Sequence, residues 1–191
     1  GGPYAHRGSE GQCHSERSEE SNPLLDRLAG VVSSAPALAL GEDVSPGLVF
    51  VTKFLSFVLP KLQLPNGLDA AGLSHDAEIV RAYREDPLVH GVITARFGAE
   101  LSRTMTWTMA HASAWPTDLP LLVVHGGADP ICPPEASERF FVNTWADDKR
   151  RHVYPGYFHE VFNEVGREQV LQDVASWLHE RLDQRSSPNL S

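Results

Sequence analysis

Residues 119–129 read LPLLVVHGGAD, an apolar run that ends in two glycines and an aspartate. The four apolar residues at 121–124 are typical of a strand that is buried on both faces of a sheet. The glycine pair predicts a turn, and the prolines at 133 and 134 predict the start of a helix, where a missing backbone donor has no cost. The stretch therefore predicts a strand followed by a helix, the repeating unit of a parallel α/β sheet.

The segments on either side repeat this alternation. Further strands are predicted from GVVSSAP at 30–36 and KRRHVYPG at 149–156, with a helix at 133–146 between the second and third strands. A last helix is predicted at 163–182. Its predicted buried face consists of Val170, Leu171, Val174, Trp177, Leu178 and Leu182. Strands and helices that alternate through short links indicate right-handed parallel units, so the predicted fold class is α/β.

Residues 44–112 interrupt the alternation with amphipathic stretches separated by proline and glycine. Three stretches predict helices: PGLVFVTKFLSFVLPKL at 46–62, HDAEIVRAYRED at 75–86 and VITARFGAELSRTMTWTMAHA at 92–112. We interpret this block as a helical insertion between two strands of the sheet.

The first of these helices carries Phe50, Phe54 and Phe57 near helical spacing, beside Lys53 and Lys61. Such residues pack into a core in many proteins. An apolar face flanked by lysines also suits contact with a membrane surface, and both interpretations stay open at this point.

The polar residues 1–23, rich in Ser, Glu and Gly, are predicted to be disordered or foreign to the fold. The predicted core comprises 24–43 and 113–185, the helical insertion 44–112, and the tail 186–191.

Composition excludes several classes of function. The net charge is −9, and the densest basic cluster is only Lys149–Arg151, so nucleic acid is not a predicted partner. The apolar region at 48–64 is too short and too charged to span a bilayer.

The chain has two cysteines, Cys13 and Cys132, and neither lies in a C-x-x-C pair, which indicates a reducing cytoplasm as the expected location. We interpret Cys132 as a packed thiol near the site described next. No metal or cofactor is predicted, because three histidines lack the spacing of metal ligands: His90, His111 and His125.

Two side chains follow the carboxyl ends of predicted strands. Asp129 ends LPLLVVHGGAD, and His159 lies in VYPGYFHEVFNE at 153–164. A carboxylate that binds one imidazole nitrogen fixes the tautomer, and the other nitrogen can then take a proton from a hydroxyl nucleophile. The alternatives are a turn-forming or helix-capping Asp129 and a solvated loop His159. Glu160 and Glu164 are predicted to favour the amino end of the last helix electrostatically.

Four stretches make residues 24–182 resemble the carboxyl-terminal part of the monoacylglycerol lipase and lysophospholipase branch of the α/β-hydrolase superfamily. They are LAGVVSSAPAL at 28–38, DAEIVRAYREDPLVH at 76–90, PLLVVHGGADPICPPEAS at 120–137 and VYPGYFHEVFNE. The resemblance implies a partial α/β-hydrolase fold in which Asp129 is the acid and His159 the base of a Ser-Asp-His triad. It also implies that 44–112 is a cap over an acyl-chain pocket, that Phe50, Phe54 and Phe57 contribute to this pocket, and that the substrate is a small lipid ester.

The chain departs from the family pattern at the nucleophile. The family's serine lies in a G-x-S-x-G turn upstream of the strand at 31–35, and no such motif occurs here; Ser9 lies in RGSEG, where Arg7 occupies the first glycine position. We therefore expect a fragment that is inactive alone. The alternatives are a capped hydrolase of another substrate class, such as an aminopeptidase, and a non-catalytic binding fragment. A transient contact of the cap with a membrane surface is a further hypothesis.

Overall fold

The computed structural model describes residues 27–39 and 46–186. Strands and helices alternate through most of this part of the chain. In chain order they are β1 (Val31–Ser34), α1 (Pro46–Val58), β2 (Gln63–Pro65), α2 (Ala77–Glu85), β3 (Val92–Thr94), α3 (Ala95–Ala110), β4 (Leu121–Gly126), α4 (Pro134–Asn143), β5 (Lys149–Tyr154) and α5 (Arg167–Ser186). Short 3-10 helices lie at Ala70–Gly72, Ala112–Ala114 and Val161–Asn163. The predicted polar segment 1–23 lies outside the described residues.

The main sheet has the strand order β1-β4-β5, and both pairings are parallel. All six residues of β4 are buried, as the continuous apolar run predicted. β1 is less buried than β4, since its first three residues are half-buried and Ser34 is exposed. Among the described residues β1 pairs with β4 alone, so one edge of this strand lacks the cover that a central strand receives.

Helices cover both faces of the sheet. Successive β4 side chains point to opposite faces. Leu121 and Val123 join a cluster with Phe140 of α4, whereas Leu122 and Val124 join a cluster with Trp177 of α5. The main sheet is therefore the middle of three layers, and the predicted α/β class is confirmed.

Helix α5 buries a narrower stripe than the sequence predicted. Val170 and Trp177 are buried and Val174 packs against them. The prediction was wrong for three leucines, which are exposed: Leu171, Leu178 and Leu182. Each of the first two follows a buried residue and is rotated by about 100° around the helix axis, which takes it away from the sheet.

The insertion contains helices α1, α2 and α3 and one feature that was not predicted. β2 and β3 form a two-stranded antiparallel sheet. The prediction of helix at 92–94 was wrong: these β-branched residues form β3, and Thr94 is the N-cap of α3, with its side chain accepting a hydrogen bond from Phe97 N.

The three phenylalanines of α1 are exposed, and the exposed fraction of Phe57 is 90%. The core interpretation is therefore wrong for Phe50, Phe54 and Phe57. Within the described part of the chain, no helix combines the length and apolar character that crossing a bilayer requires.

Candidate active site

Asp129 lies in the turn that follows β4, and its side chain is fully buried. Carboxylate oxygen Oδ1 accepts hydrogen bonds from Ile131 N at 2.8 Å and Cys132 N at 2.9 Å. This half of the carboxylate is a turn former, as one interpretation of the sequence had it. The other oxygen, Oδ2, is directed toward imidazole groups.

His159 lies in the loop that follows β5. Its Nδ1 is 2.8 Å from Asp129 Oδ2, and its side chain is 24% exposed. Because an ionised carboxylate only accepts hydrogen bonds, Nδ1 carries the proton and Nε2 is the nitrogen that can accept another. The predicted juxtaposition of the two strand ends is present, since β4 and β5 are neighbours in the parallel sheet.

The approach of the His159 loop to the end of β4 depends on a glycine. Ala128 N donates to Tyr157 O at 2.9 Å, and Gly127 N donates to Tyr154 O at 2.8 Å. A Cβ atom at Gly126 would lie 2.0 Å from Phe158 O. A side chain therefore does not fit at Gly126, and this glycine allows the loop to pass over the strand end.

A second imidazole contacts the same carboxylate, and the sequence analysis missed it. His125 is fully buried, with Nε2 at 3.1 Å from Asp129 Oδ2 and 3.0 Å from Cys132 O. Both partners are acceptors, so Nε2 carries a proton that it shares between them. The signal was the i, i+4 spacing within HGGAD, but His125 was considered only as a metal ligand.

These contacts shift the ionisation of both partners. Burial alone would raise the pKa of Asp129, but hydrogen bonds from His125, His159 and the turn amides outweigh it and lower the pKa. Asp129 is the main cause of a pKa of about 10 for His159, and the Cys132 side chain adds to the rise. The contact therefore stabilises the charged forms of both groups, as required of an acid that stabilises the imidazolium formed when a base takes a proton.

The remaining residues from the sequence analysis lie around this pair or apart from it. Cys132 is a buried free thiol beside Asp129. Glu160 accepts a hydrogen bond from Asn163 Nδ2, whereas the Glu164 carboxylate is buried and binds Phe158 N at 3.0 Å. In the described residues, no group of His, Cys, Asp and Glu side chains is arranged to hold a metal ion.

Residues 21–166 match the family model Hydrolase_4, described as serine aminopeptidase, S33. The chain belongs to this family of α/β-hydrolases. The match covers more than half of the chain and includes both Asp129 and His159.

Individual relatives support the same branch of the superfamily, that of monoacylglycerol lipases and lysophospholipases. The monoacylglycerol lipase of Mycolicibacterium smegmatis is 39% identical over 156 residues, which cover 78% of this chain and 53% of that protein. Phospholipase YtpA of Bacillus subtilis is 27% identical and is covered to 58%. The crystal structure of the Paleococcus ferrophilus monoacylglycerol lipase matches with a TM-score of 0.75 at 36% identity, covering 82% of this chain and 60% of that one.

The resemblance that the four sequence stretches predicted is thereby confirmed, as is the partial α/β-hydrolase fold. The chain spans little more than half the length of the Mycolicibacterium smegmatis and Bacillus subtilis relatives.

Proposed function

We propose that this chain supplies the acid and the base of a serine hydrolase that cleaves carboxylic esters of monoacylglycerols or lysophospholipids. The observation that carries the proposal is the 2.8 Å contact between His159 Nδ1 and a buried Asp129 carboxylate. Two backbone amides hold the other carboxylate oxygen, so the acid has a fixed orientation. The activities named for the lipase and phospholipase relatives support the substrate class.

The proposed reaction uses both nitrogens of His159. A serine hydroxyl attacks the ester carbonyl carbon while Nε2 accepts the hydroxyl proton, and Asp129 stabilises the imidazolium that forms. The imidazolium then donates its proton to the leaving glycerol oxygen, which leaves an acyl-enzyme. Water that has lost a proton to Nε2 attacks the acyl carbonyl and releases the fatty acid and the serine.

The nucleophile is the part of the triad for which this sequence holds no recognisable motif. No G-x-S-x-G occurs in the 191 residues. A hydroxyl outside that strained turn lacks the oxyanion donor that follows the nucleophile. We therefore propose that the chain alone hydrolyses no ester, and that turnover requires a segment carrying the serine turn.

We also propose that residues 44–112 act as the cap of this hydrolase. Its described part reaches the base directly, because His159 N donates to Gly72 O at 3.3 Å and Glu160 N to Leu73 O at 2.8 Å. The exposed phenylalanines of α1 give the cap an apolar surface suited to an acyl chain or to the lipid surface that supplies the substrate.

The test combines this chain with the amino-terminal half of the Mycolicibacterium smegmatis lipase, the part that precedes the matching segment, and measures hydrolysis of monobutyrin. We expect turnover by the assembly, and a loss of about 10³-fold or more in kcat for His159→Gln. His179→Gln is the matched control, because this histidine is exposed on α5. Turnover that survives His159→Gln would contradict the proposed base.

Two further measurements address the alternatives. Stoichiometric labelling of the chain alone by a fluorophosphonate would refute the proposal that it lacks a competent serine. Faster hydrolysis of a prolyl 4-nitroanilide than of monobutyrin would move the substrate class to the aminopeptidases that the family description names. An assembly that binds but cleaves neither compound would support the non-catalytic alternative.

A further inference from the structure

Glu164 holds a buried charge next to the loop that carries His159. Its side chain is 1% exposed, although it lies in a polar loop before α5. The carboxylate has one contact with each of five groups: His75 N at 2.9 Å, His75 Nδ1 at 3.0 Å, Phe158 N at 3.0 Å, Val165 N at 2.8 Å and the Ser74 hydroxyl at 3.4 Å. The sequence predicted an electrostatic effect of Glu164 on the amino end of the last helix. In the structure, the carboxylate also makes direct hydrogen bonds to the His159 loop and to the insertion.

The carboxylate is held in its ionised form. Burial would raise the pKa of Glu164, but hydrogen bonds from Phe158, His75 and Val165 outweigh burial and lower it. Since a buried charge is costly unless its hydrogen bonds are complete, the carboxylate specifies the positions of its partners.

Glu164 joins two segments that come from distant parts of the chain. Phe158 directly precedes His159, and His75 belongs to the insertion, in the segment just before α2. The ring of His75 stacks on the ring of Phe158, with centroids 3.8 Å apart and planes at 27°. The Ser74 hydroxyl adds a hydrogen bond to Asn163 O at 2.8 Å.

The same two segments are also linked through their backbones. Backbone donors at His159 and Glu160 bind the carbonyls of Gly72 and Leu73. The backbone of the His159 loop is thus fixed at both flanks to residues 72–75, and Glu164 supplies the only charged group among these described contacts.

We propose that Glu164 and His75 form a latch that positions His159 against Asp129 and couples the insertion to the base. The term base rests on the function proposed above, whereas the latch itself rests on the contacts of Glu164. Glu164 is a positioning residue, because it acts on His159 through Phe158 and the segment 72–75.

The test compares Glu164→Gln with Glu160→Gln in the 191-residue chain. Both variants replace a carboxylate in the same loop, but Glu160 binds only Asn163 Nδ2 through its side chain among the described contacts. We expect Glu164→Gln to accelerate hydrogen exchange at the Phe158 and Glu160 amides by about tenfold or more, since it weakens charge-assisted hydrogen bonds. We also expect it to shift the imidazole ¹⁵N resonances of His159, with both readouts within about twofold of wild type for Glu160→Gln.

A second variant separates the latch from general stability. His75→Phe keeps an aromatic ring to stack on Phe158 and removes the nitrogen that contacts Glu164, so it retains the fold while weakening the latch. We expect a smaller acceleration at the same amides and a shift of the His159 resonances in the same direction. Unchanged His159 resonances in His75→Phe would overturn the coupling, even if Glu164→Gln unfolds the chain.

The assembled hydrolase provides the readout that distinguishes the two proposals. We expect Glu164→Gln to lower kcat about tenfold or more with KM within about twofold, because the latch orients the imidazole without touching substrate. If kcat is unchanged while His159→Gln abolishes turnover, the latch is wrong and the hydrolase function stands. If the exchange and resonance shifts occur but the assembly cleaves no ester, the hydrolase function is wrong and the latch stands as a structural device.

Discussion

Replacing Gly126 by alanine tests whether the His159 loop depends on the close approach of two backbones. The added Cβ would lie 2.0 Å from Phe158 O and 2.4 Å from Tyr157 O. Real Cβ atoms essentially never come closer than 3.0 Å to another heavy atom, so the Phe158 carbonyl must retreat by at least 1.0 Å, the difference between 3.0 and 2.0 Å. Both obstructing atoms belong to the backbone, so no side-chain rotation can relieve the clash.

The magnitude follows from the contacts that this retreat would break. The hydrogen bond from Ala128 N to Tyr157 O, at 2.9 Å, and the contact between His159 Nδ1 and Asp129 Oδ2, at 2.8 Å, would both exceed hydrogen-bonding distance. Overpacking costs about 1–3 kcal/mol, a neutral hydrogen bond about 1 kcal/mol, and a charged one about 1.5–3 kcal/mol. Together these terms give about 3.5–7 kcal/mol, so we expect a loss of at least about 3.5 kcal/mol in the free energy of unfolding, which is severe for a single substitution.

The assay is urea unfolding followed by tryptophan fluorescence, together with the imidazole ¹⁵N resonances of His159. Gly127→Ala is the matched control, because its nearest contact would be Tyr154 O at 3.2 Å, which a small adjustment accommodates. We expect the control to stay within about 1 kcal/mol of wild type. If Gly126→Ala is equally mild and leaves the His159 resonances unchanged, the argument that the glycine admits this loop is wrong.

Three further substitutions test other parts of the structure. Asp129→Asn should lower the free energy of unfolding in urea by about 2–4 kcal/mol. The full loss is expected between pH 3.8 and 6.5, because in this range both the ionised Asp129 and the protonated His159 stabilise the folded state. Because the folded-state pKa of His159 is about 10, the loss should shrink as pH rises from 6.5 toward that value, and a loss that grows with pH would contradict the pairing. Trp177→Ala should lower the free energy of unfolding by about 3–5 kcal/mol in the same assay, whereas Leu178→Ala, at an exposed neighbour, should lower it by less than about 1 kcal/mol. Equal losses would mean that the buried face of α5 is misassigned. Asp76→Ala removes the N-cap of α2 and should lower the unfolding free energy by about 1 kcal/mol, with Asp76→Ser restoring most of it; failure of serine to restore stability would argue against capping.

Local signals predicted the elements of the main sheet. The apolar run before Gly126 became a fully buried strand, and the alternating segments after it became α4, β5 and α5. The same reasoning failed at 92–94, where apolar periodicity extended the helix too far and β-branched residues with an N-cap threonine decided the outcome. It also overestimated the buried face of α5, because the width of a buried stripe depends on what packs against the helix.

The candidate site was predicted in part, for a reason of topology. Parallel neighbouring strands end at the same edge of a sheet, so an aspartate and a histidine at two such ends were expected to meet. His125 was missed as a partner of the carboxylate, because its i, i+4 spacing from Asp129 within HGGAD was not considered and the residue was weighed only as a metal ligand.

The sequence by itself determined the α/β class and placed Asp129 and His159 after two predicted strands, because these follow from periodicity and from parallel connections. Their pairing in a triad was implied by the resemblance to the hydrolase family. Only the tertiary structure decided that Glu164 is a buried charge bound to the insertion and that both segments meet at His159. Its contact with His75 joins residues 89 positions apart, and the surroundings that stabilise such a charge exist only after the chain has folded.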